Sequence, residues 1–257
     1  MAKIHPTAVV APQACLADDV EIGAYSIIGP YVKIGESARI MSHVNIEGET
    51  SLGSGCTVFP FASLGTQTQD LKYTGGRARV DIGERTTIRE YVTVNCATKE
   101  GDATRVGSGC HILAYAHVAH DCVVGDEVVI ANCGTLAGHV TIEDQVIVGG
   151  LCGIHQFVRV GRMSIIGGCS KVTQDIPPYM MADGHPLEIH GINMVGLKRR
   201  GVGSTQANEL KKAYRILYRE GLSTTQALEK LKTDLENSKE VGHIIEFIAS
   251  TNRGIVK

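Results

Sequence analysis

The sequence contains no tryptophan, and aromatic residues make up only 5% of it. Large rings therefore cannot build its core, and smaller aliphatic side chains must fill it. No apolar run approaches the roughly 20 residues that a membrane-spanning helix requires. The formal net charge is −2, so no excess of positive charge points to nucleic acid. No Cys-x-x-Cys pair occurs among the eight cysteines, which removes the commonest sequence sign of a zinc or redox site. Little precedes the patterned part of the chain. A repeat is under way by Ile4, which leaves no room for a signal peptide and gives the expectation of a cytoplasmic protein.

What the chain has in abundance is a period of six. Ile4, Val10, Leu16, Ile22, Ile28, Ile34, Ile40, Ile46, Leu52, Val58 and Leu64 recur without a miss. Four places after each stands a small or β-branched residue, from Ala8 and Ala14 to Cys56 and Ala62. The frame returns at Ile82, Ile88 and Val94, and again from Val106 to Val172. Six fits neither a helix of 3.6 residues per turn nor an alternating strand. It is the mark of a solenoid, in which each unit buries its apolar face only by stacking on its neighbours. Six residues suit one flat side of a coil, and three sides close a turn of about eighteen, with coils about 4.8 Å apart. The lead aliphatic fills the interior and the small residue fits near the corner. Cys56, Cys110, Cys122 and Cys152 occupy this small position, where a thiol serves as a compact hydrophobe.

The expected organisation is an all-β solenoid over 1–178, a connection over 179–203 rich in Gly and His, and a helical domain over 204–257. Polar excursions break the frame near 66–79 and 99–105. Pro177-Pro178 ends the coils. Beyond them, Leu210, Ala213, Tyr214 and Leu217 mark one helix, with Gly221 as its stop. Ser223 is the expected N-cap of a second, and Val241, Ile244, Ile245 and Ile248 mark a third. Such a cap would cover the open edge of the last coil.

The chemistry concentrates in residues 111–122, HILAYAHVAHDC. With a turn of eighteen, Gly138 lies one coil above His120, and His139 one coil above Asp121. His155 lies one coil above Ala137, next to Gly138. A His is the usual general base near neutral pH. A carboxylate beside it fixes its tautomer, and a bare glycine N–H above it can stabilise an oxyanion. That set suits acyl transfer from a thioester to a hydroxyl with no Ser or Cys nucleophile. His43, His111 and His243 read as ordinary wall residues. Stacked histidines also suit zinc, but the residue five after His117 is the interior Cys122, which breaks the ligand spacing, so no metal or cofactor is expected.

The repeat resembles that of the hexapeptide-repeat acyltransferases, which implies a left-handed parallel β-helix. HVAHDC (117–122), TLAGHV (135–140), HQF (155–157), QDLKY (69–73), QDIPPY (174–179) and GLKRRG (196–201) are similar to motifs of the UDP-N-acetylglucosamine 3-O-acyltransferases, and the likeness spans essentially the whole chain. That family moves a 3-hydroxyacyl chain from acyl carrier protein to the sugar 3-hydroxyl, the first step of lipid A biosynthesis. The resemblance implies His120 as general base, Asp121 as its partner and Gly138 as oxyanion donor. It places Gln69, Asp70, Lys72, His117, His139, His155 and Gln156 at the nucleotide sugar. It places Asn193, Arg199 and Arg200 at the uridine diphosphate or the carrier's phosphopantetheine, Gly168 and Lys171 along the acyl chain, and the sites between subunits of a trimer. The resemblance departs at Asn95-Cys96-Ala97-Thr98, where family members often carry His-Arg-Gly-Thr. An acceptor with a 3-amino group, the pathway's later N-acyltransferase, a zinc hydratase and a purely structural solenoid are the other readings. The N-acyltransferase typically has a uridine-binding domain ahead of its repeats, for which Ile4 leaves no space.

Overall fold

The computed structural model describes residues 1–235 and 237–257. Its first coil sets the pattern. Two-residue strands at Lys3–Ile4, Val9–Val10 and Cys15–Leu16 are separated by tight corners, and the next strand, Glu21–Ile22, pairs parallel with the first. Repetition builds three faces, sheets of eleven, nine and eight strands. In the order met along one coil, these are the first, second and third faces. Backbone N–H groups bond to the coil above, as Lys3 N–H does to the Val20 carbonyl (2.7 Å) and His5 N–H to that of Ile22 (2.9 Å). Almost every strand amide is satisfied in this way without local helix or hairpin, so the fold holds only while coils stack.

The two interior columns expected from the six-residue frame are buried. Ile28, Ile46, Ile88, Ile112, Ile130 and Leu136 fill the lead column, and Val20, Ala38, Cys56, Cys110 and Cys122 fill the small one. The corners impose a requirement that the aliphatic pattern does not show. The fourth residue of many hexads takes a left-handed backbone, including Tyr115 (φ 63°), Asp121 (φ 59°), His139 (φ 62°) and Phe157 (φ 65°). Such conformations cost non-glycine residues of the order of 1 kcal/mol. The ladder hydrogen bonds and interior burial around each corner offset that cost, and the side chains there point outward in columns.

The excursions preserve the frame because each inserts whole hexads. Ser51 pairs with Asp81, thirty residues on, and Thr93 faces His117, twenty-four residues on, where undisturbed coils are eighteen apart. Both excursions leave from the corner between the second and third faces. The second is shorter than the sequence suggested, because a strand resumes at Ala103–Val106 and pairs with Arg79–Ile82. Its small position is filled by Thr104, fully buried, and Glu100 stands where a lead aliphatic would have marked this hexad in the sequence.

The segment 179–203, expected as a connection, is structured. Met180–Asp183 joins the first face parallel to Ile165–Ile166, Glu188–Ile192 folds back antiparallel on it, and the helix α1 (Met194–Arg199) follows. Alternate residues Met180 and Ala182, with Ile189 and Ile192, are buried and roof the last coil. The helices α2 (Ser204–Tyr218), α3 (Thr224–Asp234) and α4 (Lys239–Ala249) complete the cap. Ser223 starts α3 with a capping box, its hydroxyl accepting from Gln226 N–H and Gln226 reaching back to the Ser223 amide. The cap docks through Arg159, whose guanidinium lies 4.3 Å over the Phe247 ring and bonds the Ser250 carbonyl (3.2 Å), and through Glu143, 2.9 Å from His243. Among the described residues, no helix is long and apolar enough to cross a membrane.

Candidate active site

His120, Asp121, Gly138 and His139 meet at the corner between the second and third faces. The three-hexad spacing makes them vertical neighbours, as the His139 N–H bond to the His120 carbonyl (3.0 Å) records. The His120 ring lies directly against Gly138. A Cβ on that glycine would collide with Cε1 and Nε2 of the ring. Glycine is therefore the only residue that lets an imidazole occupy this storey. Among the described residues the Gly138 N–H has no hydrogen-bond acceptor, which leaves it free to donate.

His120 Nδ1 stands 2.8 Å from Asp121 Oδ2, and the two side chains are only 14% and 12% exposed. An ionised carboxylate only accepts, so Nδ1 carries the proton and Nε2 is left as the basic nitrogen. Burial alone would raise the Asp121 carboxyl. Hydrogen bonds from His120 and Thr98, together with the charge His139 can carry, outweigh burial and hold it below the usual carboxylate range. His139 Nε2 is 3.6 Å from the same Oδ2, and its ring is sandwiched between the His120 edge (5.2 Å, 87°) and the Phe157 face (4.6 Å, 8°). His117 projects from the second face, with Nδ1 2.7 Å from Thr93 Oγ1. Burial lowers its pKa, with the neighbouring His120 adding to the effect, so at neutral pH it is an uncharged hydrogen-bonding group.

The nearest thiol is no nucleophile. Cys122 is buried in the coil interior, its Sγ bonded to the Ala137 carbonyl (3.1 Å), and burial pushes its thiol up to about 12. Cys110 is pushed up to about 11 for the same reason. Since the thiolate is the reactive form, a thiol reagent added to native protein should modify Cys15 and Cys169, which are exposed, within minutes. Cys56, Cys110, Cys122 and Cys152 should react only on unfolding. Mass mapping of the labelled sites checks this.

His120, Asp121 and His139 also offer three donor atoms within 4.8 Å of one another, a set that a transition-metal ion can accept. Such an ion would have to displace the proton that binds Nδ1 to Asp121.

The remaining candidates fall in two groups. Gln69, Asp70 and Lys72 lie in the first excursion, which leaves the same corner two coils below His120, on the order of 10 Å along the axis. Asp70 Oδ1 accepts the Lys72 N–H (2.9 Å), shaping a turn that leaves the Gln69 and Lys72 side chains exposed. His155 and Gln156 are exposed on the coil above Gly138. Lys171 is exposed on the second face over Gly153, and a Cβ on Gly168 would lie 3.3 Å from the Gly150 carbonyl, at the corner between first and second faces.

Asn193, Arg199 and Arg200 are not at this corner. Asn193 is buried and caps α1, accepting from Gly196 N–H (3.0 Å) and donating to the Met163 carbonyl (2.8 Å). Arg200 pairs with Glu127, which lies at the corner between the third and first faces, and Arg199 is exposed beside it in sequence. Thr93 and Thr104, which the motifs did not single out, grip the cluster, as do Thr98, from the segment where the resemblance departs, and Phe157, the last residue of HQF, which stacks on His139. The signal for Thr104 was a polar residue at an interior position of the hexad.

The comparisons with known proteins agree with this geometry. Residues 103–138 match the family model described as bacterial transferase hexapeptide (six repeats), and 175–256 match that of Udp N-acetylglucosamine O-acyltransferase, domain 2. The chain is 48% identical to the acyl-[acyl-carrier-protein]–UDP-N-acetylglucosamine O-acyltransferase of Thermodesulfovibrio yellowstonii and 46% identical to that of Thiobacillus denitrificans, each over 100% of both chains. The solved structure of LpxA from Acinetobacter baumannii superposes with a TM-score of 0.95 at 40% identity, covering 99% of both chains. The UDP-N-acetylglucosamine acyltransferase of Arabidopsis does so with a TM-score of 0.88 at 33% identity, over 99% of this chain and 100% of that one. Whole-length identity of this order, joined to the histidine corner, shows that the chain is an enzyme and belongs to the acyl-[acyl-carrier-protein]–UDP-N-acetylglucosamine O-acyltransferase family.

Proposed function

We propose that the enzyme transfers an (R)-3-hydroxyacyl group from acyl carrier protein to the 3-hydroxyl of UDP-N-acetylglucosamine, the first step of lipid A biosynthesis, with His120 as general base. The observation that carries this reading is the His120 ring, oriented by Asp121 and lodged against Gly138. Nε2 takes the proton of the sugar hydroxyl as its oxygen attacks the thioester carbon. The Gly138 N–H stabilises the oxyanion that forms, worth roughly 10²–10³ in rate for such donors. Collapse breaks the C–S bond, and the imidazolium returns its proton to the leaving thiolate. No acyl-enzyme is needed, consistent with a buried, protonated Cys122.

Gln69, Asp70, Lys72, His117, His139, His155 and Gln156 would hold the nucleotide sugar, and Gly168 and Lys171 would border the acyl chain. Asn193, Arg199 and Arg200 sit at another edge of the prism, so in this reading they serve the site of a neighbouring copy in a homotrimer. There the Arg guanidinium forks would meet phosphate. The left hand of the coil belongs to the same reading.

A transfer assay with 3-hydroxyacyl carrier proteins of graded length tests it, with UDP-N-acetylglucosamine and its 3-amino analogue as acceptors. Ester formation on the 3-hydroxyl sugar is the expected product. Acylation of the amino analogue alone would replace the proposed acceptor, and transfer to neither would overturn the reading.

A further inference from the structure

The second excursion ends in a set of contacts that the base mechanism does not itself explain. Thr98 grips both oxygens of the Asp121 carboxylate. Its backbone N–H donates to Oδ1 (3.2 Å) and its hydroxyl to Oδ2 (2.8 Å). Thr104, fully buried on the returning strand, accepts the Asp121 N–H through Oγ1 (2.8 Å). Asp121 thus accepts two hydrogen bonds from the one segment and donates a third to it, at a corner where its own backbone is left-handed.

The excursion is fastened on its other side. The Asn95 amide donates to Thr66 Oγ1 (3.0 Å) and to the Gln67 carbonyl (3.0 Å), and Cys96 N–H donates to the Thr66 carbonyl (3.0 Å). Near its far end Gly101 N–H donates to the Arg77 carbonyl (3.0 Å). Thr66, Gln67 and Arg77 are the roots of the excursion that bears Gln69, Asp70 and Lys72. Between these anchors Cys96 and Ala97 are buried, so the segment cannot swing freely.

The geometry points to Thr98 as a positioning residue for the catalytic pair, carried on a strap that ties the Asp121 carboxylate to the base of the substrate loop. It rests on the reading of His120 as base. The need for such a residue is visible in the site. Asp121 Oδ2 has two imidazole suitors, His120 Nδ1 at 2.8 Å and His139 Nε2 at 3.6 Å. A carboxylate free to turn would be shared between them, and His120 would lose the partner that keeps its proton on Nδ1. The Thr98 hydroxyl fixes the oxygen toward His120.

Thr98→Val keeps the side-chain volume and the backbone N–H bond but removes the hydroxyl donor. It should lower kcat about tenfold, as expected for one lost charge-assisted hydrogen bond, with KM for both substrates within about twofold of wild type. Thr98→Ser should restore kcat to within about threefold. In an Asp121→Asn background the Thr98→Val change should cost less than about twofold, because the group it positions is gone. A 15N NMR spectrum of the His120 ring should show the Nδ1–H tautomer losing population in Thr98→Val and regaining it in Thr98→Ser. An unchanged tautomer with unchanged kcat in the folded Val variant would overturn the proposal, as would a full tenfold loss persisting with Asn at 121. If His120→Ala retained activity, the base reading would fail on its own, and the ring spectrum would still decide whether Thr98 positions the pair.

Discussion

His120→Ala should give a folded solenoid that binds its substrates and turns them over roughly 10²–10⁴ times more slowly, the usual contribution of a positioned general base. The protein should survive the change because the ring is outside the two interior columns. It occupies a corner against Gly138. The loss should fall on kcat, because the proton moves only as the bond forms. No neighbour can substitute. His139 stays stacked on Phe157 one coil above the vacated place, and His117 is held by Thr93 on the adjoining face. The Asp121 carboxyl, held below the usual range, contributes stability that is fully present above its unfolded value of about 4 and is lost as pH falls through the lower folded value. It therefore stays ionised wherever the enzyme is assayed near neutrality, and the acid limb of the wild-type rate profile should not belong to it. Steady-state kinetics with circular dichroism as a fold control decides the matter. A kcat within tenfold of wild type in the Ala variant would remove His120 from the base role.

Much of this arrangement was legible because the repeat is geometric. A six-residue period dictates which residues stand one above another, so the stacking of His120 under Gly138 and of Asp121 under His139 followed from counting. The excursions did not spoil the count, since both insert whole hexads. What counting could not supply was contact between segments whose side chains obey no period. The grip of Thr98 on Asp121 crosses from an irregular loop. The strand at Ala103–Val106 was hidden because Glu100 stands where the frame expects a lead aliphatic, although the buried Thr104 fits the small column above Val80 and Thr50. The hairpin within 179–203 was hidden by its polar turn around Gly184 and His185. In the fold both ends of the Asn193 amide already hold α1 and Met163, which its place in the sequence did not show. Motif position told where these residues are, and only the packing told what their polar atoms already do.

Gly138→Ala should be as damaging as loss of the base, for a reason separable from it. The glycine is not at a left-handed φ, so alanine meets no backbone penalty there. The added methyl instead lands on Cε1 and Nε2 of His120. Coil backbones cannot move apart to relieve this without breaking ladder bonds such as His139 N–H to the His120 carbonyl, so the imidazole must turn away. Turning breaks its contact with Asp121 and moves Nε2 by an ångström or more, and a displacement of that size costs about 10²-fold in rate. Overpacking should also lower stability by about 1–3 kcal/mol. The N–H of residue 138 survives the substitution, so a large loss reports the ring's position rather than a missing oxyanion donor. The double variant Gly138→Ala with His120→Ala separates the effects. With the ring gone the methyl has nothing to strike, so the thermal midpoint should return to that of His120→Ala and kcat should fall no further. A Gly138→Ala enzyme with near wild-type kcat would mean that the imidazole and the glycine do not share one storey in solution, and the mechanism built on their contact would have to be abandoned.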